Sequence, residues 1–122
     1  MIKPPIILDE NGNILFFRSK RIAEEYIEPE DVMNNEYIIY DSEGRLLRLE
    51  VTINNMSIFL NILNIKRWRT RISTIEDTPG HSDELKKKII KFLYRIKIED
   101  NSIDRLSLKS ILDIAIEKIG YT

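Results

Sequence analysis

The sequence predicts an α+β fold: an antiparallel sheet built from two hairpins plus one or two further strands, with one helix between the hairpins and two C-terminal helices. Three observations lead there. Two apolar runs meet across Asn11-Gly12, a dipeptide that tolerates positive φ at both central positions of a type I′ turn and so favours antiparallel pairing. A period-2 alternation marks residues 45–53, and a 3.6-residue apolar period marks two segments after His81. Strands that come first and helices that gather last argue for a sheet covered on one face.

In chain order, Pro5-Ile6-Ile7-Leu8-Asp9 and Ile14-Leu15-Phe16-Phe17-Arg18 are the arms of the first hairpin. Ser19 offers an N-cap to a helix reaching about Ile27, in which Ile22/Tyr26 and Ala23/Ile27 repeat at i, i+4, and Pro29 ends it. The second hairpin runs from Glu36-Tyr37-Ile38-Ile39-Tyr40 through the turn Asp41-Ser42-Glu43-Gly44 into a strand from Arg45 to about Ile53. Leu47, Leu49, Val51 and Ile53 point one way along it, and Arg48, Glu50 and Thr52 the other. Met56 to Ile65 fits both periods and is read as strand. Lys66 to Thr74 alternates more clearly, with Trp68, Thr70 and Ile72 opposite Arg67, Arg69, Arg71 and Ser73, which places the indole in the core. After the loop Glu76–His81, Ser82 caps a helix with Asp83 and Glu84 in its first turn and a stripe of Leu85, Ile89, Phe92, Leu93 and Ile96. The last helix carries Leu108, Ile111, Leu112, Ala115, Ile116 and Ile119 and closes at Gly120.

The 122 residues fit a single domain, 1–122, which buries roughly two thirds of its unfolded surface on folding. With no cysteine there is no disulfide framework and no thiolate metal site, which suits a reducing compartment, and the cytoplasm is the expected location. No apolar run approaches the roughly 20 residues that span a bilayer, and Met1–Leu8 lacks the apolar segment of a signal peptide, so neither export nor membrane insertion is expected. Charge is distributed unevenly: residues 1–50 hold 6 Lys/Arg against 11 Asp/Glu, and residues 51–122 hold 13 against 9. Such a chain can show an acidic face to a basic partner.

Motifs for chemistry are missing. His81 is the only histidine, so no Ser-His-Asp, Cys-His or multi-His site can form within one chain, and it reads as a surface loop residue. The four glycines form neither GxGxxG nor a phosphate loop, and no EF-hand pattern occurs. No enzymatic activity, cofactor or metal is therefore expected. Lys66-Arg67-Trp68-Arg69-Thr70-Arg71 is the strongest nucleic-acid signal, four cations around an aromatic, although on a strand it also reads as a solvated basic face. Lys86, Lys87, Lys88 and Lys91 fit a solvated helix face, with Asp83/Lys87 and Glu84/Lys88 as i, i+4 pairs.

The acidic segment is more informative. Lys20/Glu24 and Arg21/Glu25 can pair, but Glu24/Glu28 is a like-charge i, i+4 pair, and Glu30 and Asp31 follow with no cation nearby. Local conflicts without compensation tend to mark function, so Glu24, Glu25, Glu28, Glu30 and Asp31 are the candidate partner-binding residues.

Three stretches within Pro5–Leu49, P-I-I-L-D-E-N-G-N-I-L-F-F-R-S, A-E-E-Y-I-E-P-E-D-V and N-E-Y-I-I-Y-D-S-E-G-R-L-L-R-L, together resemble small bacterial immunity proteins of polymorphic-toxin and contact-dependent growth inhibition systems. Thr78-Pro79-Gly80-His81-Ser82-Asp83-Glu84-Leu85 is a weaker echo. The resemblance implies a protein that binds a cognate toxin domain 1:1 and blocks its active site or substrate path. Many such toxins are nucleases with basic clefts, for which the acidic segment would supply charge complementarity and steering. The alternatives are a nucleic-acid-binding module using residues 66–71 and a protein-interaction subunit of another system.

Overall fold

A computed structural model describes residues 1–34, 37–55, 66–98 and 102–122. The first hairpin forms as the turn chemistry requires: β1 (Ile6–Glu10) and β2 (Asn13–Phe17) pair antiparallel in the register Ile6↔Phe17 to Glu10↔Asn13. Asn11 and Gly12 take φ of 51° and 94°, and the Asp9 carboxylate accepts the Gly12 N–H at 2.8 Å. Two short helices follow, α1 (Lys20–Tyr26), capped by Ser19, and α2 (Pro29–Met33). Pro29 thus ends the first helix but opens a second, since its fixed φ suits the first helical position and its missing N–H costs nothing there.

The fold class is α+β with antiparallel sheets, but the second hairpin does not pair arm to arm. β3 (Tyr37–Tyr40) lies antiparallel to β1, giving the order β2-β1-β3, while β4 (Leu47–Asn55) pairs with β5 (Lys66–Thr74) in a separate two-stranded sheet. Only the bridge Tyr40↔Leu46 joins the arms directly. A period-2 pattern fixes which face a residue takes, not which strand lies beside it. The reading of Met56–Ile65 as strand falls outside the described residues.

The chain continues with α3 (Ser82–Arg95), a 3₁₀ turn (Ile103–Arg105) and α4 (Leu108–Ile119). His81, rather than Ser82, occupies the N-cap position of α3, and the Ser82 hydroxyl instead donates to the Glu43 carbonyl at 2.7 Å. Gly120 ends α4 at φ 85°.

The three-stranded sheet is covered on both faces, not one. Ile7, Ile14, Phe16 and Tyr40 pack against Leu85, Ile89 and Leu93 of α3 and Ile111, Leu112 and Ala115 of α4. Ile6, Leu8, Phe17 and Ile39 pack on the other side against Ala23, Ile27, Leu47 and Ile72. This explains why β1 and β2 read as near-continuous apolar runs: a strand buried on both faces has no solvent side to make polar.

Polar side chains then fasten the layers. Asp41 is fully buried and accepts from the backbone N–H of Lys3, Glu43 and Arg45 at 3.2, 3.0 and 3.0 Å and from the Arg45 guanidinium. Arg45 also donates to the carbonyls of Asp77 (3.1 and 2.9 Å) and Met1 (3.1 Å), so one ion pair ties the start of the chain to the turn and to the loop before α3. Gly44, at φ 84°, leaves the turn so close to α3 that a Cβ there would lie 2.3 Å from Ser82 Cα. Glu76 accepts from the Leu46 N–H (2.6 Å), the Gly80 N–H (3.2 Å) and His81 Nδ1 (2.9 Å). Those bonds, the Leu46 amide first, hold its carboxyl below the ordinary glutamate value. No helix among the described residues is long and apolar enough to cross a membrane.

Candidate functional site

The largest departure from the sequence reading is Trp68, expected in the core and found 51% exposed. Its alternation is right: Thr70 and Ile72, on the same face of β5, are buried, and the Thr70 hydroxyl donates to the Ile27 carbonyl at 2.7 Å. Position along the strand decides the difference. Thr70 and Ile72 lie under α1 and the α1–α2 link, whereas Trp68 lies further towards the start of β5, opposite Ile53, and stands at the mouth of a cleft.

This cleft, about 580 Å³, brings the acidic segment and the basic strand together. α1 supplies Arg21, Glu24 and Glu25, the α1–α2 link supplies Ile27, Glu28 and Pro29, and β5 supplies Trp68 to Arg71. The cross-strand register puts Arg69 and Arg71 opposite Thr52 and Glu50, on the face away from Trp68 and Thr70. The indole and the guanidinium groups therefore meet only along the strand edge and do not form one stacking platform for bases.

The five acidic candidates separate into distinct roles. Glu24 accepts the Ile72 backbone N–H at 2.8 Å, which covers a donor on the outer edge of β5, and lies 4.0 Å from the Lys20 ammonium. Asp31 accepts the Tyr37 hydroxyl at 2.9 Å, joining α2 to β3. Both are committed inside the fold. Glu25 pairs with Arg21 at 3.2 Å on the surface. Glu28 and Glu30 are exposed and have no ion pair among the described residues. The expected Glu24/Glu28 conflict does not arise, because α1 stops at Tyr26 and Glu28 sits in extended backbone at the N-cap of α2. Glu30 and Asp31 fall in the first turn of α2, where the helix dipole favours them.

Arg69 and Arg71 are likewise exposed and without an ion pair among the described residues. The open charges of the cleft are thus Glu28, Arg69 and Arg71, beside the surface pair Arg21–Glu25 and a half-exposed indole. Only Glu25 and Glu28 of the proposed acidic set line the cleft with free access, and Glu30 stands on the neighbouring turn. The exposure of Trp68 does not follow from the sequence pattern, because alternation gives the direction of a side chain, not what covers it.

A second polar group lies between the sheet and α3. The Tyr40 hydroxyl donates to Glu84, Lys88 pairs with Asp9 at 2.9 Å, and the Lys88 ammonium stands 5.0 Å from the Tyr40 ring centre. Burial, and then the bond to Glu84, push the Tyr40 phenol well above its ordinary value. These contacts divert Glu84 and Lys88 from the intrahelical pair expected of them. His81 is tied to Glu76, and among the described residues no three His, Asp or Glu side chains are grouped as a metal site. Compared with known proteins, the chain matches no family model, no curated protein and no solved structure.

Proposed function

We propose that this protein binds and neutralises a toxin domain, one copy to one, through the face of α1, α2 and β5. The observation that carries the reading is the half-exposed Trp68 at a cleft rimmed by Arg69, Arg71 and Glu28, none of them held by an ion pair among the described residues. Tryptophan and arginine are the residues that most often dominate binding energy at protein interfaces, and an indole left half in water gains on being covered. The resemblance of residues 5–49 to immunity proteins supports a toxin domain as the partner, and many toxins of that class are nucleases. Against a basic nuclease surface, Glu25, Glu28 and Glu30 would steer association, while the covering of Trp68 would set dissociation. The proposed activity is inhibition by occupancy, without catalysis by this chain.

The test is co-expression with the product of the neighbouring gene, reading growth, together with association and dissociation rates of the purified pair. The expected result is protection by the wild type, at least tenfold faster dissociation for Trp68→Ala, and slower, less salt-dependent association for the triple variant E25Q/E28Q/E30Q, with unchanged thermal melts. Absence of both protection and a complex would overturn the proposal, and unchanged rates for Trp68→Ala would move the contact surface elsewhere.

A further inference from the structure

The opposite side of the molecule carries a feature that toxin binding does not use. Lys87, Lys91 and Arg95 stand at i, i+4 and i+8 on the exposed side of α3, a row of about 12 Å at 1.5 Å per residue. Like charges at this spacing repel, and helices ordinarily interleave acids among them. Here the interleaving fails: Glu84 takes the Tyr40 hydroxyl, Lys88 takes Asp9, and Asp83 makes no ion pair among the described residues. The Arg95 guanidinium donates to the amide oxygen of Asn13 at 3.3 Å, a neutral partner. Lys86, Lys87 and Lys91 have no ion pair among the described residues.

Beside this row runs a second, Lys86, Ile90 and Tyr94, which floors a groove of about 510 Å³ reaching to Asp104 of the 3₁₀ turn. Ile90 is half-buried, Tyr94 is exposed, and the Tyr94 hydroxyl donates to Asp104 at 3.2 Å, which leaves the ring as a wall of the groove. A smaller hollow of about 270 Å³ lies on the other side of Lys91, with Ile14 and Phe92 in its lining. The helix thus shows a cationic ridge between two partly apolar hollows.

We propose that this ridge is a docking site for an acidic amphipathic helix of a partner protein. Charge complementarity sets the sign of the occupant, since three cations in line, none with an ion pair among the described residues, accept carboxylates at matching i, i+4 positions. The apolar part of the groove floor, Ile90 and the Tyr94 ring, favours a peptide over a nucleic acid, because leucine-type side chains cover it while a sugar–phosphate backbone leaves it empty. Asp83 and Asp104 in the groove lining add to this, for a helix can place its own carboxylates away from them and a uniform polyphosphate cannot. The surface lies across the three-stranded sheet from the Trp68 cleft, so the two sites are separate.

The experiment uses the full chain and a fluorescent 18-residue helical peptide with Leu at i, i+3, i+4 and i+7 positions and Glu on the flanks, followed by anisotropy in 50 and 150 mM salt. An isomer with Gln for Glu, and a 12-nucleotide RNA and a 12-base-pair DNA, are run beside it. The expected result is saturable binding of the acidic peptide, at least tenfold weaker for the Gln isomer and for K87Q/K91Q, and unchanged for W68A and for K109Q/K118Q on α4. Thermal melts of every variant confirm the fold. Equal binding of both peptides, unchanged binding by K87Q/K91Q, no saturable binding, or tighter binding of either oligonucleotide would each overturn the proposal.

Discussion

Replacing Asp41 with Ala tests whether the buried ion pair holds the layers together. Asp41 is fully buried, and its carboxylate satisfies three backbone N–H groups and the Arg45 guanidinium, which is itself held between the Asp77 and Met1 carbonyls. Truncation leaves the nearly buried cation with only Glu43, 3.6 Å away and partly exposed, as counter-charge, and three amides without an acceptor. Breaking a buried pair from one side costs about 3 to 5 kcal/mol, a large share of the roughly 5 to 15 kcal/mol that holds a domain folded. For a chain of this length that corresponds to a melting temperature lowered by roughly 10 to 20 °C. The assay is urea unfolding followed by circular dichroism, which separates a shift in midpoint from a change in slope. The double variant D41A/R45M sharpens it: with the cation gone as well, the combined loss should fall short of the sum of the single losses by about 1 to 3 kcal/mol. An Asp41→Ala variant within about 1 kcal/mol of wild type would refute the assignment of the pair as the fastening of the turn.

Gly44→Ala should lower stability by more than the roughly 1 to 3 kcal/mol of a strained positive φ, because its Cβ also overlaps Ser82 backbone; calorimetry checks this, and an unchanged melt contradicts the close approach. Tyr40→Phe should cost about 1 kcal/mol near neutral pH, since exposed Glu84 regains water. As the folded Tyr40 value is raised, its stabilising contribution is complete below the ordinary tyrosine value of about 10 and lost above it, so the variant should show a shallower alkaline limb in denaturation against pH. Glu76 has the opposite sign. Its folded value is depressed, so its contribution is present above the ordinary glutamate value and lost as pH falls through the depressed one, and Glu76→Gln should flatten the acid limb of the same curve.

Local turn chemistry was legible in the sequence, and partners far along the chain were not. Asn11-Gly12 announced its hairpin, and Asp41 to Gly44 announced a turn, with Gly44 at positive φ. The pairing of β3 with β1 and of β4 with β5 depends on the packing of two cores against one sheet, which no short pattern encodes. The acidic segment shows the same division. Its charge was plain, but that Glu24 is committed to Ile72 and Asp31 to Tyr37 follows only from tertiary contacts, and with them two of five candidate contact residues become structural. The continuous apolar runs of β1 and β2 did carry a readable sign of burial on both faces, which the helices gathered late in the sequence outweighed.

The position of β1 has a consequence for how the molecule opens. Its backbone is paired on both edges, and its side chains alternate between the two cores, Ile7 in one and Ile6 and Leu8 in the other. Neither core can come apart without exposing part of this strand, so its central amides should exchange with solvent deuterium only through global unfolding. The β4–β5 ribbon shares a single backbone bridge with that sheet but joins the second core through Leu47 and Ile72, so only its stretch towards Trp68, beyond those side chains, should open separately and exchange faster. A partner seated on Trp68 would slow exchange along that ribbon and leave the β1 rate as it is, unless it stabilises the whole domain; the comparison distinguishes local capture from global stabilisation.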